Sequence, residues 1–150
     1  IGYNTGTEFD SKADFLARYP GDEYVDILSF DTYQHSRLSI DTSFAEKLKQ
    51  SLSMVSQIAS EKNKLAALGE VGYNQIPYRH WFTQVLQPAL QNNNIAYVLL
   101  WRNAGFKPHD GSTEFYAPYK GHDSAADFID YYCAPETIFE KEARKLKLYK

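Results

Sequence analysis

Three runs of largely apolar residues stand out along this chain, and each gives way to polar or reactive side chains. The runs are Tyr24–Phe30, Lys64–Val71 and Ile95–Trp101. Near-continuous apolar runs of this length are typical of parallel strands that are covered on both faces. A short apolar start at Ile1–Tyr3 indicates the end of a fourth strand.

Helix signals fill the segments between the predicted strands. Ser43 and Glu46 have the spacing of a capping box, and the apolar residues that follow share one face of a long helix: Phe44, Leu48, Leu52, Val55 and Ala59. A second helix is predicted after Pro77, and Pro88 should kink or shorten it because proline lacks a backbone N–H. A last amphipathic tail begins at Pro135 and carries Ile138, Phe139, Leu146 and Leu148.

Two shorter helices are predicted from similar cap spacings. Ser11 and Asp14 open a brief helical stretch near the start of the chain, and Ser124 and Asp127 open another near its end. The Gly- and Pro-containing stretch Phe106–Gly121 is predicted to be a loop.

The alternation of strands and helices predicts an α/β fold with a parallel sheet and right-handed crossovers. Three or four strands as apolar as these would leave unpaired edges, which folded proteins avoid. The sequence therefore predicts a piece of a larger barrel or sheet, so that residues 1–150 are incomplete as a domain. Because the first residue is isoleucine, we expect a processed, trimmed or partial chain.

The polar residues at the strand ends are candidates for one active site. In parallel α/β folds the carboxyl ends of the strands face a common rim, where residues far apart in sequence meet. Asp31 and Tyr33 follow the first run, Glu70 lies at the end of the second, and Trp101–Asn103 ends the third.

Glu70 is the candidate catalytic carboxylate, because a carboxylate among the apolar residues of a strand is costly to bury without a purpose. The structural alternative is an ion pair with Arg102 at the neighbouring strand end. Asp31 and Tyr33 are two residues apart and point to the same side, where a tyrosine hydroxyl can orient a carboxylate. Alternatively, both cap the turn after their strand.

The end of the third run has the composition of a sugar-binding subsite. Trp101 offers a flat apolar platform, and Arg102 and Asn103 add hydrogen-bond donors beside it. The alternative for Trp101 is a place in the hydrophobic core.

Composition narrows the class of ligand. The formal net charge is −3 with both signs interspersed, which argues against nucleic acid or an anionic membrane as the partner. The ligand is expected to be neutral or small, and many of the 12 tyrosines fall in loops, where a ring can stack on a sugar. No apolar stretch approaches the roughly 20 residues that span a bilayer.

No motif supports a cofactor or a metal. Metal-ligand spacings, Gly-rich nucleotide-binding motifs and the GxSxG motif of serine hydrolases are absent from the sequence. The four histidines, His35, His80, His109 and His122, are interpreted as surface or loop-anchoring residues. The single cysteine, Cys133, is expected to be a buried thiol rather than a nucleophile.

Four segments in order along the chain carry a resemblance to a known family. They are Arg18–Tyr33, Leu68–Gly72, Tyr97–Asn103, and Phe115–Tyr119 followed by His122–Phe128. Together they resemble glycoside hydrolase family 26, most of whose characterised members are endo-β-1,4-mannanases. The resemblance implies a (β/α)8 TIM barrel of which this chain is the C-terminal part, from the end of strand five to helix eight.

The resemblance also implies roles for the candidate residues. Glu70 corresponds to the nucleophile of a retaining double displacement, and Tyr33 to a tyrosine that hydrogen-bonds that nucleophile. Asp31 corresponds to a residue that contacts sugar, and Trp101 and Arg102 to a pair that lines the subsites just before the scissile bond.

One part of the family's machinery has no counterpart in this chain. The acid/base glutamate of the family, preceded by a histidine, lies at the end of strand four. Retaining glycosidases need two carboxyl groups about 5 to 5.5 Å apart, so this chain alone is expected to be inactive. An N-terminal part of the barrel is expected on another chain or to have been lost.

The implied substrate is a β-mannan, and a polymer substrate implies an extracellular, periplasmic or cell-surface location. Two alternatives stay open beside it: a barrel that cleaves β-glucan or β-xylan, and a non-catalytic glycan-binding protein. A doubly wound domain unrelated to sugars is the remaining option.

Overall fold

The computed structural model describes residues 1–6, 8–37 and 41–147, and within them four parallel strands form one sheet in the order β1-β2-β3-β4. The strands are β1 Gly2–Asn4, β2 Ile27–Gln34, β3 Leu65–Tyr73 and β4 Val98–Leu100. The predicted parallel sheet, including the short first strand, is confirmed.

The bounds of the central strands differ from the prediction. β2 begins three residues later than expected, because Tyr24 is exposed and precedes the pairing with β3. Both β2 and β3 also continue through the polar residues at which the apolar runs stop. Alternation explains this, because one face of these strands packs on helices while the other carries the polar side chains.

Helices connect the strands and cover one face of the sheet. They are α1 Lys12–Leu16, α2 Thr42–Glu61, the π-helical turn Phe82–Leu86 with α3 Gln87–Leu90, α4 Ala125–Cys133 and α5 Glu140–Lys145. The predicted apolar face of α2 is confirmed, since Leu48, Leu52 and Val55 are all buried in the core. Phe44 packs against that core from a partly buried position.

The caps of the helices agree with the sequence only in part. Ser11 caps α1 as predicted, accepting a hydrogen bond from the backbone N–H of Asp14. The cap of α2 is Asp41 rather than Ser43, because the Asp41 carboxylate accepts the N–H of Phe44 at 3.0 Å. Ser124 occupies the cap position of α4, but its hydroxyl contacts the His122 ring instead.

Pro88 shortens the helix that contains it. The turn before it, Phe82–Leu86, is π-helical, and the α-helix that follows ends at Leu90. Proline removes an i→i−4 hydrogen bond, and the wider π turn accommodates that loss.

Three expectations for the last third of the chain are wrong. The predicted loop Phe106–Gly121 overlaps an antiparallel hairpin of β5 Gly105–Lys107 and β6 Ser112–Glu114. Cys133 is exposed at the end of α4 rather than buried. The final helix begins at Glu140, after the predicted start at Pro135, and Leu148 lies outside the described residues.

Both outer edges of the sheet are open in the described part of the chain. β1 pairs only with β2, and β4 pairs only with β3. Apolar side chains on or beside the strands are also exposed, with Leu65 at 55%, Tyr97 at 44% and Leu99 at 41% of their full accessibility. None of the described helices has the length and apolar character to cross a membrane.

Candidate active site

A β-bulge in β3 sets the direction of Glu70. Phe30 pairs with Leu68 but Asp31 pairs with Glu70, so that Gly69 is an extra residue relative to β2. The register with β4 shifts at the same place. Leu68 and Val71, three residues apart, consequently both pack into the core. The bulge turns Glu70 away from the core, a known use of such irregularities beside active sites.

Tyr33 and Glu70 are in direct contact at the carboxyl ends of β2 and β3. The Tyr33 hydroxyl donates a hydrogen bond to Oε2 of Glu70 at 2.5 Å. Burial, and then the hydrogen bond to Glu70, raise the pKa of Tyr33 far above its ordinary value. The phenol therefore stays protonated and remains a donor. The sequence predicted this convergence of two strand ends.

Asp31 lies directly opposite Glu70 in the register of the two strands. Its Oδ1 accepts a hydrogen bond of 2.6 Å from the side-chain amide of Asn4, which ends β1. A side chain at Gly69 would lie 2.5 Å from Asn4 Nδ2 and 2.8 Å from Asp31 Oδ1, so this pair requires the glycine. Asn4 was not among the candidates, and only its position directly after the predicted strand end at Ile1–Tyr3 pointed to it.

Trp101 and Arg102 lie next to this rim. Trp101 donates its backbone N–H to the carbonyl of Val71 at 3.1 Å, directly after β4. The guanidinium of Arg102 lies 5.7 Å from the centre of the Trp101 ring, within range of a cation–π contact. The acidic neighbour of Arg102 is Glu114 of the hairpin, at 3.9 Å, rather than Glu70.

The Asn103 side chain holds a loop. Its amide donates to the carbonyl of Ala117 at 2.8 Å, and its oxygen accepts the N–H groups of Tyr116 and Ala117 at 2.8 and 3.0 Å. These contacts engage the donor and acceptor of the amide that the sequence suggested for sugar.

Tyr116 is a site neighbour that sequence reasoning did not assign. Its ring meets the ring of Tyr33 edge-on, with 5.5 Å between centres. A side chain at Gly72 would lie 2.2 Å from Cδ1 of Tyr116. Phe115–Tyr119 was one of the segments that carried the family resemblance, which was the available signal.

Two other kinds of site, a metal centre and a surface groove, are the alternatives to this rim. Among the described residues, no group of three or more His, Cys, Asp or Glu side chains could hold a metal ion. A groove of about 620 Å³ lies at the start of β4, near Leu90, Tyr97 and Phe139, and none of the predicted site residues lines it. We place the candidate site at the rim, because the chemistry-bearing side chains converge there.

The chain is similar to known proteins along most of its length. The family model described as glycosyl hydrolase family 26 matches residues 2–104. A mannan endo-1,4-beta-mannosidase of Bifidobacterium adolescentis is 30% identical in an alignment of 141 residues that covers 84% of this chain and 14% of that protein.

Several solved structures match the fold, among them two GH26 mannanases. A GH26 β-mannanase from Bacteroides ovatus is 36% identical with a TM-score of 0.81, over 92% of this chain and 38% of that one. The catalytic domain of a GH26 endo-β-1,4-mannanase from Bacillus sp. JAMB-750 is 32% identical with a TM-score of 0.84, over 99% of this chain and 41% of that one. These matches confirm the predicted fold: the chain forms the C-terminal portion of a (β/α)8 barrel and spans well under half of each relative.

Proposed function

Because the chain belongs to glycosyl hydrolase family 26, we propose that it supplies the nucleophile half of a retaining hydrolase for β-1,4-mannosidic bonds. The observation that carries the proposal is the hydrogen bond from Tyr33 to Glu70 at the carboxyl ends of adjacent parallel strands. Active sites of (β/α)8 barrels lie at that end of the strands. The mannanase names of the relatives support mannan as the substrate.

Glu70 is the proposed nucleophile. Tyr33 holds Oε2 of the carboxylate, which leaves Oε1 as the attacking oxygen. In the first step Oε1 bonds to the anomeric carbon, the glycosidic C–O bond breaks, and a general acid protonates the leaving oxygen. In the second step water, deprotonated by the same acid/base group, attacks the anomeric carbon and releases Glu70 with net retention.

The remaining rim residues are proposed to bind the sugar. Asp31 lies opposite Glu70 and presents a carboxylate to sugar hydroxyls, while the Trp101 ring offers an apolar face and Arg102 offers donors. Asn103 stays a candidate for sugar binding by its position, although its amide already contacts the loop at Tyr116 and Ala117.

The acid/base carboxylate is proposed to come from the part of the barrel that this chain does not contain. Asp31 is a poor substitute, because Asn4 holds its Oδ1 and its family counterpart contacts sugar. We therefore expect this chain alone to be inactive. An extracellular, periplasmic or cell-surface location is proposed because polymer substrates are met there.

Replacing Glu70 tests this function in the full-length protein. Glu70→Ala should lower mannan hydrolysis by a factor on the order of 1,000 or more, because it removes the carboxylate that forms the covalent intermediate. The matched control is Glu46→Ala on the exposed surface of α2, which should keep the wild-type rate. Circular dichroism checks that both variants are folded, and full activity of Glu70→Ala would refute the assignment.

Comparing initial rates on mannan, mixed-linkage glucan and xylan separates the substrate alternatives. Binding of manno-oligosaccharides measured by calorimetry, without product release by the full-length protein, would favour a glycan-binding protein instead.

A further inference from the structure

We propose that Asn103 is a positioning residue, which orients the Tyr33 hydroxyl on Glu70 by holding the ring of Tyr116 against Tyr33. The inference rests on the proposed function, and it assigns to Asn103 and Tyr116 a role in the reaction that differs from sugar binding. It follows from a continuous chain of contacts that leads from β4 to the proposed nucleophile.

The first step is the attachment of the Tyr116 segment. Asn103 makes three hydrogen bonds of 2.8 to 3.0 Å to the backbone of Tyr116 and Ala117. These three hydrogen bonds, which we call the Asn103 clasp, use both the oxygen and the nitrogen of one amide. The clasp therefore fixes the position and the orientation of that backbone. The segment has no helical or strand structure of its own, so its backbone groups depend on such partners.

The second step is the space that receives the ring. Gly72 is the cross-strand partner of Tyr33, and a side chain there would lie 2.2 Å from Cδ1 and 2.8 Å from Cε1 of Tyr116. The Tyr116 ring therefore occupies the place next to Tyr33 that the side chain of residue 72 would take. Its edge-on contact with the Tyr33 ring limits the directions in which that ring can tilt.

The third step is the effect on Glu70. The Tyr33 ring carries the hydroxyl that donates to Oε2 of Glu70 at 2.5 Å. A tilt of the ring would lengthen this bond and release the carboxylate from its attacking orientation. Rates are sensitive to misplacement of a reacting group by about 1 Å, so the clasp should influence the chemical step more than substrate binding.

The test compares kinetics of Asn103→Ala with a matched control in the full-length protein. We expect kcat on manno-oligosaccharides to fall roughly tenfold while KM changes less than about twofold, the pattern of a lost interaction that matters in the transition state. The control is Asn93→Ala, which removes amide hydrogen bonds to the carbonyls of Ala89 and Gln91 in a loop remote from the rim. It should lose similar stability but keep kcat.

A double-mutant cycle separates positioning from direct sugar binding. If Asn103 acts through the Tyr33 hydroxyl, Asn103→Ala should have little further effect on kcat in a Tyr33→Phe background, which lacks that hydroxyl but keeps the ring. The proposal would be overturned if the two substitutions lowered kcat independently, so that their factors multiply in the double variant, or if Asn103→Ala changed only KM. Either result would indicate that Asn103 contacts the sugar directly. Gly72→Ala, which pushes on Tyr116 from the other side, should reproduce the kcat loss.

A crystal structure of the Asn103→Ala protein provides a readout that does not depend on activity. A displaced Tyr116 ring and a lengthened Tyr33–Glu70 contact would support the clasp, and an unchanged contact would refute it. If the wild-type protein releases no product, or if Glu70→Ala keeps full activity, the proposed function fails while this structural result still decides the geometry of the clasp.

Discussion

Tyr33 is a hydrogen-bond donor to Glu70 throughout the pH range in which a glycosidase is assayed. An ordinary tyrosine ionises near pH 10, and burial together with the Glu70 contact raises the pKa of this phenol well above that value. Because the folded-state pKa is raised, its contribution to stability is fully present below pH of about 10 and declines as the pH rises beyond that. Under the proposed function, we therefore expect the acid and alkaline limbs of the activity profile of the full-length protein to come from groups other than Tyr33.

We expect Tyr33→Phe to lower kcat by roughly 10- to 100-fold, less than Glu70→Ala, because a hydrogen bond to a charged group contributes about 1.5–3 kcal/mol. The loss should be the same factor from about pH 5 to about pH 9, since the hydroxyl is protonated throughout. Measurement of kcat against pH for both proteins checks this. A loss that grows toward high pH would mean that Tyr33 ionises in the working range.

At the scale of single residues, the sequence located the rim and, through the family resemblance, the contact of Tyr33 with Glu70, but not the loop contacts of Asn103. Strand-end positions were enough to bring Glu70 and Tyr33 together, because parallel strands deliver their ends to one side. The contacts of Asn103 could not be predicted in the same way. Its partners Tyr116 and Ala117 follow it by 13 and 14 residues and lie in an irregular loop. Loop conformations carry no hydrophobic periodicity from which to deduce them.

Asp127 connects two elements that are distant in sequence. From α4 its buried carboxylate accepts the backbone N–H groups of Phe82 and Thr83, at 2.8 and 3.4 Å, and the Thr83 hydroxyl. These N–H groups lie at the start of the π-helical turn and have no partner within their own helix. Asp127 therefore attaches the π-helical turn after β3 to α4, beside the ring contacts of Phe82 with Phe128 and Tyr131.

We expect Asp127→Ala to lower the free energy of unfolding by about 1–3 kcal/mol, because it leaves buried N–H groups without an acceptor. Asp130→Ala, on the exposed side of the same helix, should change it by less than about 0.5 kcal/mol. Urea unfolding of the two variants in the full-length protein measures the difference. Equal values would show that solvent replaces the Asp127 contacts.

Elements with a long, regular pattern were predictable, and short ones were not. The helix α2 has 20 residues, and its apolar spacing from Phe44 to Ala59 predicted both its existence and its buried face. The β5–β6 hairpin consists of two three-residue strands, too short for alternation to show, and was predicted as a loop. Its two strands are joined by the Lys107–Glu114 ion pair, and the side chains of Asn74 and Gln75 donate to the carbonyl of Thr113 from outside the hairpin.

For the molecule as a whole, the open sheet edges leave backbone hydrogen-bonding groups available to further strands. Within the described residues, β1 and β4 each pair with a strand on one side only, and Tyr97 and Leu99 are exposed at β4. Such edges favour pairing with further strands, which the longer barrels of the relatives contain. The apolar character of the strands led us to expect such edges from the sequence.

We expect the 150-residue chain by itself to release no product from mannan, and to become active when co-expressed with the preceding part of its barrel. Pairing of the open edges would then bring an acid/base carboxylate to the rim opposite Glu70. Reducing-sugar release from mannan measures the recovery, and co-expression with the Glu70→Ala chain is the control that should stay inactive. Full hydrolysis by the isolated chain would contradict the proposal that the nucleophile lies in this chain and the acid/base carboxylate in the preceding part of the barrel.

The bulge at Gly69 has a consequence for how this chain can change in length. On its amino side Leu68 faces the core, and on its carboxyl side Val71 does, so the two halves of β3 are in opposite phase. Deleting or inserting one residue there would move the core-facing side chains of the rest of β3 to the opposite face of the sheet, and the side chains of that face into the core. We therefore expect insertions and deletions between Leu68 and Val71 to destabilise the fold, whereas residues 108–111 lie outside the strand pairing of the hairpin and should tolerate changes in length.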